Sequence, residues 1–196
     1  MGRKKKEIKE ELPKEEINGV QIKDSTSYEG SVILKIQKNG KILKTIKTKN
    51  KGTLRLFQGI ALALQNTSSS VLVGSFLPQY LDAGSNGEET NITDTTLRNS
   101  ILKGNRVVLN PLYPVPNRNS DPTGYISKFV GVIPYTLIGG SKIKELGLFA
   151  DKTGDTLLAR IVIPDDGISI YQGMNLIVEW DLDITNKEIT TTPAIE

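Results

Sequence analysis

The stretch SKIKELGLFADKTGDTLLARIVIPDDGISIYQGMNLIVEWDLDIT, residues 141–185, decides the fold class. Leu146, Leu148 and Ala150 recur at every second position, as do Leu157, Ala159, Ile161 and Ile163. Leu176, Val178, Trp180, Leu182 and Ile184 form the cleanest such run in the chain. Successive side chains of a strand point to opposite faces of a sheet, so this period predicts strands buried on one face. The break DKTGD, 151–155, predicts a short hairpin connection, with Gly154 free to take positive φ. Glu179, Asp181 and Asp183 alternate with the last run and are expected on its outer face, meeting basic residues of an adjacent strand or subunit.

Upstream, SVILKIQKNGKILKTIKT, residues 31–48, reads as a hairpin turning at Asn39-Gly40, since both residues tolerate positive φ. Leu34 and Ile36 are expected inward with Ile46 and either Ile42 or Leu43. Lys35, Lys38, Lys41, Lys44 and Lys47 are expected outward, followed by Lys49, Lys51 and Arg55. No acidic residue interrupts 31–55, so these side chains form a basic patch. One reading is contact with nucleic acid or another polyanion. Against it, no aromatic side chains are interleaved for base stacking. A solvated face whose lysines guard a strand edge outweighs it. Docking onto an acidic partner lies between the two.

Thr53 is the expected N-cap of a helix over 54–65, LRLFQGIALALQ, whose Leu56, Phe57, Ile60, Ala61, Ala63 and Leu64 share a broad apolar face. Gly59 within it costs about 1 kcal/mol against Ala and points to close packing. Further strands are expected over 71–80, 106–109 and 125–138, with Pro134 marking an edge or bulge. Residues 81–93 read as a polar loop, and 94–102 as a short helix capped by Asp94 or a connector bearing Leu97 and Ile101. Residues 110–122, with four prolines, read as a long loop of the interacting or mobile kind.

Composition narrows the chemistry. The chain has 196 residues, 37% of them hydrophobic, enough for one domain with a core plus an arm. It has no cysteine, which excludes disulfides, thiolate metal sites and cysteine nucleophiles. It has no histidine either, so the usual general base and the commonest transition-metal ligand are missing. No nucleotide-binding or hydrolase motif is present, and the carboxylate pairs fall in turns or along one strand face. The expectation is a non-enzyme without catalytic residues, metal or cofactor. No apolar run approaches the roughly 20 residues of a membrane span, and no secretory signal follows the basic N-terminus, so synthesis in the cytoplasm is expected. The net charge of +3 is too small to imply nucleic acid by itself.

Residues 1–28 form a charged arm, 29–187 the folded domain and 188–196 a tail. Such an arm cannot bury enough apolar surface to order alone and is expected to lie on another subunit. Its candidate assembly residues are Arg3, Lys4, Lys5, Lys6, Ile8 and Leu12.

The order of several pieces resembles small tailed-bacteriophage virion proteins of the tail and head–tail connector. The pieces are TKNKGTLRLF (48–57), YLDAGSNG (80–87), DTTLRNSI (94–101), IKELGLFA (143–150), LLARIVIP (157–164) and LIVEWDLDI (176–184). The resemblance covers about residues 30–185 and leaves the arm outside. It implies an antiparallel, jelly-roll-like β-sandwich with one packed helix, assembling in rings or around a tail tube, with no catalytic residues to carry over. It also implies a place in the virion and partners among a second copy of the chain, portal, tail hub and neighbouring rings. The Lys-, Ile- and Asn-rich composition suits a low-GC host, and crAss-like phages of gut bacteria are one source that fits. The alternative is a virion-surface module, a fibre or decoration protein recognising host glycan or capsid. In that case deleting 110–122 would abolish attachment while particles still assemble.

Overall fold

In the computed structural model the described residues are 28–64, 76–102, 104–110, 116–118 and 124–185, all within one unit, Thr26–Lys187. In chain order they form β1 (Tyr28–Lys38), β2 (Lys41–Gly52), α1 (Leu54–Leu64), β3 (Tyr80–Gly84), β4 (Val107–Val108) and β5 (Pro116–Arg118). Then come β6 (Gly124–Pro134), α2 (Tyr135–Ile138), β7 (Glu145–Phe149), β8 (Leu157–Val162) and β9 (Met174–Thr185). The expected mainly antiparallel β class is observed, with two short helices among the described residues.

The strands run in one sheet in the order β4-β3-β7-β8-β2-β1-β9-β6-β5. The sheet curls until it nearly closes, because Asn110, just beyond β4, donates its N–H to the Val130 carbonyl of β6 at 2.9 Å. Gly131 makes this approach possible: a Cβ there would stand 2.7 Å from Leu81 Cδ2 of β3. The result is barrel-like, with one main core inside.

The alternation of β9 governs that core. Leu176, Val178, Trp180 and Leu182 are buried, and Trp180 lies in register between Val32 of β1 and Phe129 of β6. Leu34 pairs with Ile46 on β2 and Val178 on β9, which adds a second row to the core. The turn Asn39-Gly40 has φ of 49° and 78°, as a two-residue hairpin requires. The register slips between Ile36 and Gln37, which pair with Lys44 and Ile42, so β2 carries Leu43 as an extra residue.

That bulge corrects part of the expected facing. Ile42 and Leu43 are 45% and 56% exposed rather than inward. Lys44 stands opposite Ile36, on the phase of Leu34 and Ile46, and reaches solvent only because it lies beyond the rim of the core.

Both faces of β7 are buried, which one-sided alternation did not anticipate. Leu146 and Leu148 join the main core, whereas Phe149, with Leu157, Leu97 and the flanking Tyr80, forms a second cluster. Gly147 gives Leu97 its space, since a Cβ would meet Leu97 Cδ2 at 2.9 Å.

Several local expectations are corrected. Residues 81–84 are strand, not loop, because Asp82 is neutralised internally. Of the strand expected over 71–80, residues 71–75 lie outside the described residues, 76–79 are turn or irregular, and only Tyr80 is strand, opening β3. Residues 94–102 are the connector rather than a helix, with Leu97 and Leu102 buried. Strand β6 ends at Pro134 and the chain continues as α2, so 125–138 is not all strand. Within 110–122, residues 116–118 pair with β6, and most of the remainder lies outside the described residues.

Thr53 does not cap α1 with its side chain. Its Oγ1 donates instead to the carbonyls of Leu157 and Leu158 at 2.5 and 3.1 Å, pinning the start of α1 to β8. Gly59 behaves as expected: a Cβ would come within 2.5 Å of Phe76 Cβ. Gly154 is not in the left-handed region. Its small size matters instead, because a Cβ would strike the Asp151 carboxylate at 2.8 Å.

Candidate functional site

The basic hairpin is the candidate site, and strand register fixes its layout. Across the outer face, Thr45, Lys35, Ile177 and Val132 form one row. Lys47, Ile33, Glu179 and Val130 form the next, followed by Lys49, Ser31, Asp181 and Lys128. Cations therefore flank the acidic column of β9. Lys35 bonds Glu179 at 2.5 Å from one side, and Lys128 lies 3.7 Å from Asp181 on the other. The expectation that this carboxylate stripe meets neighbouring basic strands holds for Glu179 and Asp181, while the Asp183 side chain lies outside what the structure describes. Such partly exposed pairs contribute about 0–1 kcal/mol each.

The remaining lysines are not answered in this way. Lys38, Lys41, Lys44, Lys47, Lys49 and Lys51 are exposed and make no ion pair among the described residues. Arg55 is exposed in the first turn of α1 and donates to Gln58. Same-face residues two apart on a strand are about 7 Å apart, within the Debye length of roughly 8 Å at physiological salt. Lys47 and Lys49 therefore repel each other, and an anionic partner would relieve that repulsion.

The strand that holds them has an open side. β2 is paired with β1 along its length, but with β8 only at Lys51 and Gly52. Among the described residues no backbone bond reaches the far edge of 41–49. Arg3, Lys4, Lys5, Lys6, Ile8 and Leu12 lie outside the described residues.

The other charged cluster is spent on the fold. Arg106 and Asp82, both fully buried, bond at 2.9 Å. The Arg106 guanidinium lies 3.4 Å from the Phe149 ring centroid and donates to the carbonyls of Asp151 and Gly154. Arg160 and Glu145 form a second fully buried pair at 2.8 Å. Arg160 also holds Asp94 at 2.9 Å and the carbonyls of Glu88 and Glu89. The Glu145 carboxylate accepts the Asn99 N–H at 3.0 Å. Together the two arginines fix the course of the irregular connection between β3 and β4.

Sequence reading missed these residues. Glu145 and Arg160 fall between the period-2 apolar positions of their strands, on the face opposite the one expected to be buried. The only available signal was a charged residue inside each of two otherwise apolar strands.

A shallow pocket of about 260 Å³ lies between Leu54, Arg55, Gln58 and Ile92, and Asp94 on its wall is already held by Arg160. Asp166 is the one described carboxylate clearly displaced, lowered to about 2, first by its hydrogen bond from Lys142 and then by that from Lys144. It sits fully exposed in a turn whose Asp165 and Asp166 have φ of 55° and 61°. No group of His, Cys, Asp and Glu among the described residues could hold a metal ion. No described helix is long and apolar enough to cross a membrane.

No family model, curated protein or solved structure matches the chain.

Proposed function

We propose that this chain is a structural subunit of a tailed-bacteriophage virion, assembling as a homo-oligomeric ring in the head–tail connector or tail through arm and loop contacts. The virion assignment rests on the sequence resemblance, and the observation that supports an assembling subunit is the open lysine edge of β2. Elsewhere in the described sheet the charged groups are largely committed to one another, whereas here six lysines are exposed with no acidic partner among the described residues. A subunit that must bind neighbours needs a rigid scaffold and an unsatisfied edge, and this domain has both.

The jelly-roll-like sandwich belongs to the same proposal. It is supported by β2, which pairs with β1 along its length and crosses to β8 only at its end. The partners are further copies of the chain together with portal, tail hub or neighbouring ring proteins. The role is assembly in the virion rather than catalysis, with no cofactor. Head-to-tail contacts that close on themselves give such a ring.

Native mass spectrometry of the full chain, alone and with purified particles, tests the proposal. Discrete oligomers or retention in the particle are expected. A persistent monomer that joins no other virion protein contradicts it. The competing use of the lysines, contact with packaged DNA, requires duplex affinity to fall steeply with salt as phosphate counterions are released. A flat salt dependence removes that use.

A further inference from the structure

We infer that the open edge of β2 receives residues 7–12 of a second copy as an added antiparallel strand. The inference rests on the self-assembly proposed above and names the surface that performs it. The edge over 41–49 has no backbone partner among the described residues, so its N–H and C=O groups offer a template for strand addition. Its side chains then select what can pair. Between 44 and 47 they read Lys, Thr, Ile, Lys, and beyond the bulge the tip presents the exposed Leu43 and Ile42.

The arm contains a segment with the opposite pattern, EIKEEL at 7–12, ended by Pro13. Laid antiparallel with Ile8 opposite Ile46, it brings Glu7 to Lys47 and Glu10 to Lys44. Leu12 then reaches Leu43 and Ile42 at the tip. The match is bounded on both sides: Lys5 would fall opposite Lys49, and Pro13 cannot donate to a ladder. Opposite charges across a strand pair stabilise it and like charges oppose it. The lysines that stop two β2 edges from pairing with each other therefore admit an acidic strand.

Direction favours another copy as the donor, and the test below separates it from the chain's own arm. β1 starts at Tyr28, at the end of the hairpin where Gly30 pairs with Asn50, and the turn Asn39-Gly40 lies at the far end. An antiparallel segment 7–12 leaves β2 at that far tip, heading away from its own Tyr28. A neighbour's arm arrives and departs without doubling back. Arm exchange of this kind adds affinity around a ring through effective concentration.

A charge-swap complementation in the full-length chain tests the pairing. One variant carries Lys44→Glu with Lys47→Glu, and the other carries Glu7→Lys with Glu10→Lys. The edge substitutions are at exposed positions, so each variant should keep the wild-type melting temperature and circular dichroism spectrum. Mass photometry should find self-association weakened about tenfold or more in each variant alone, and restored when the two are mixed in equal amounts. In the mixture each edge meets an arm of opposite charge. Three results overturn the inference. If both variants assemble like the wild type, the edge is not the arm's site while the ring reading stands. If only all four substitutions in one chain restore association, the pairing is within a chain. If the edge variant alone is affected, the edge meets a part of the second copy other than 7–12. A wild-type chain that stays monomeric removes the ring reading itself.

Discussion

The β1–β2 hairpin and the β3–β7–β8 region both carry charge on strands, and they use it in opposite ways. In β3–β7–β8, Arg106 and Arg160 are fully buried, each clasping a buried carboxylate and further backbone carbonyls. On β2, lysines stand in solvent with no acidic partner among the described residues. The first arrangement is what a chain needs to hold an irregular connection over a sheet. The second forms no ion pair among the described residues, which is the basis of the proposal that it meets a neighbour.

The contrast can be broken at the buried end first, where effects are largest. Arg160→Ala leaves Glu145 buried without its cation and should cost about 3–5 kcal/mol in urea unfolding. Because Arg160 also holds Asp94 and the Glu88 and Glu89 carbonyls, hydrogen exchange across 86–99 should accelerate more than in β9. A loss under 1 kcal/mol would show that these pairs do not organise the connection. Trp180→Ala removes the centre of the main core and should cost a comparable 3–5 kcal/mol, without selective opening of 86–99.

A smaller effect is expected where α1 meets β8. Thr53→Val keeps the shape but leaves the Leu157 and Leu158 carbonyls without the hydroxyl, costing about 1–2 kcal/mol on thermal unfolding.

Asp166 supplies a pH signature. Its carboxyl is held down from 3.8 to about 2, chiefly by the Lys142 hydrogen bond and then by Lys144. A folded-state value below the unfolded one gives stability present above about pH 4, lost as pH falls through about 2. The wild type should therefore exceed Asp166→Asn slightly and constantly above pH 5, with the gap closing by pH 2. The effect is small because the group is fully exposed. A gap that persists at pH 2 would show that the variant's effect does not come from the carboxylate's charge.

Smallest of all should be Lys47→Ala or Lys49→Ala, within about 0.5 kcal/mol of wild-type stability. Any larger destabilisation would mean that the hairpin lysines serve the fold after all, and the contrast between the two regions would collapse.

The same contrast explains what sequence could reveal. The β9 alternation and the Asn39-Gly40 hairpin were legible because each is a local pattern whose cause lies within a dozen residues. Strand β3 was not, since Asp82 reads as a loop residue until Arg106, far along the chain, is known to neutralise it. Thr53 looked like a helix cap, but its hydroxyl turns to Leu157 and Leu158, more than a hundred residues away. Leu43 seemed a core candidate because nothing local announces the bulge that turns the tip of β2 outward. On the candidate site, the lysines were visible in sequence, but the openness of their edge required knowing that β8 meets β2 only at Lys51 and Gly52.

The mass of the full-length wild-type chain, followed by mass photometry from low to high protein concentration, tests the central claim most directly. A discrete closed oligomer that dissociates as salt is raised is the predicted result. A single monomer peak at every concentration and salt would contradict it.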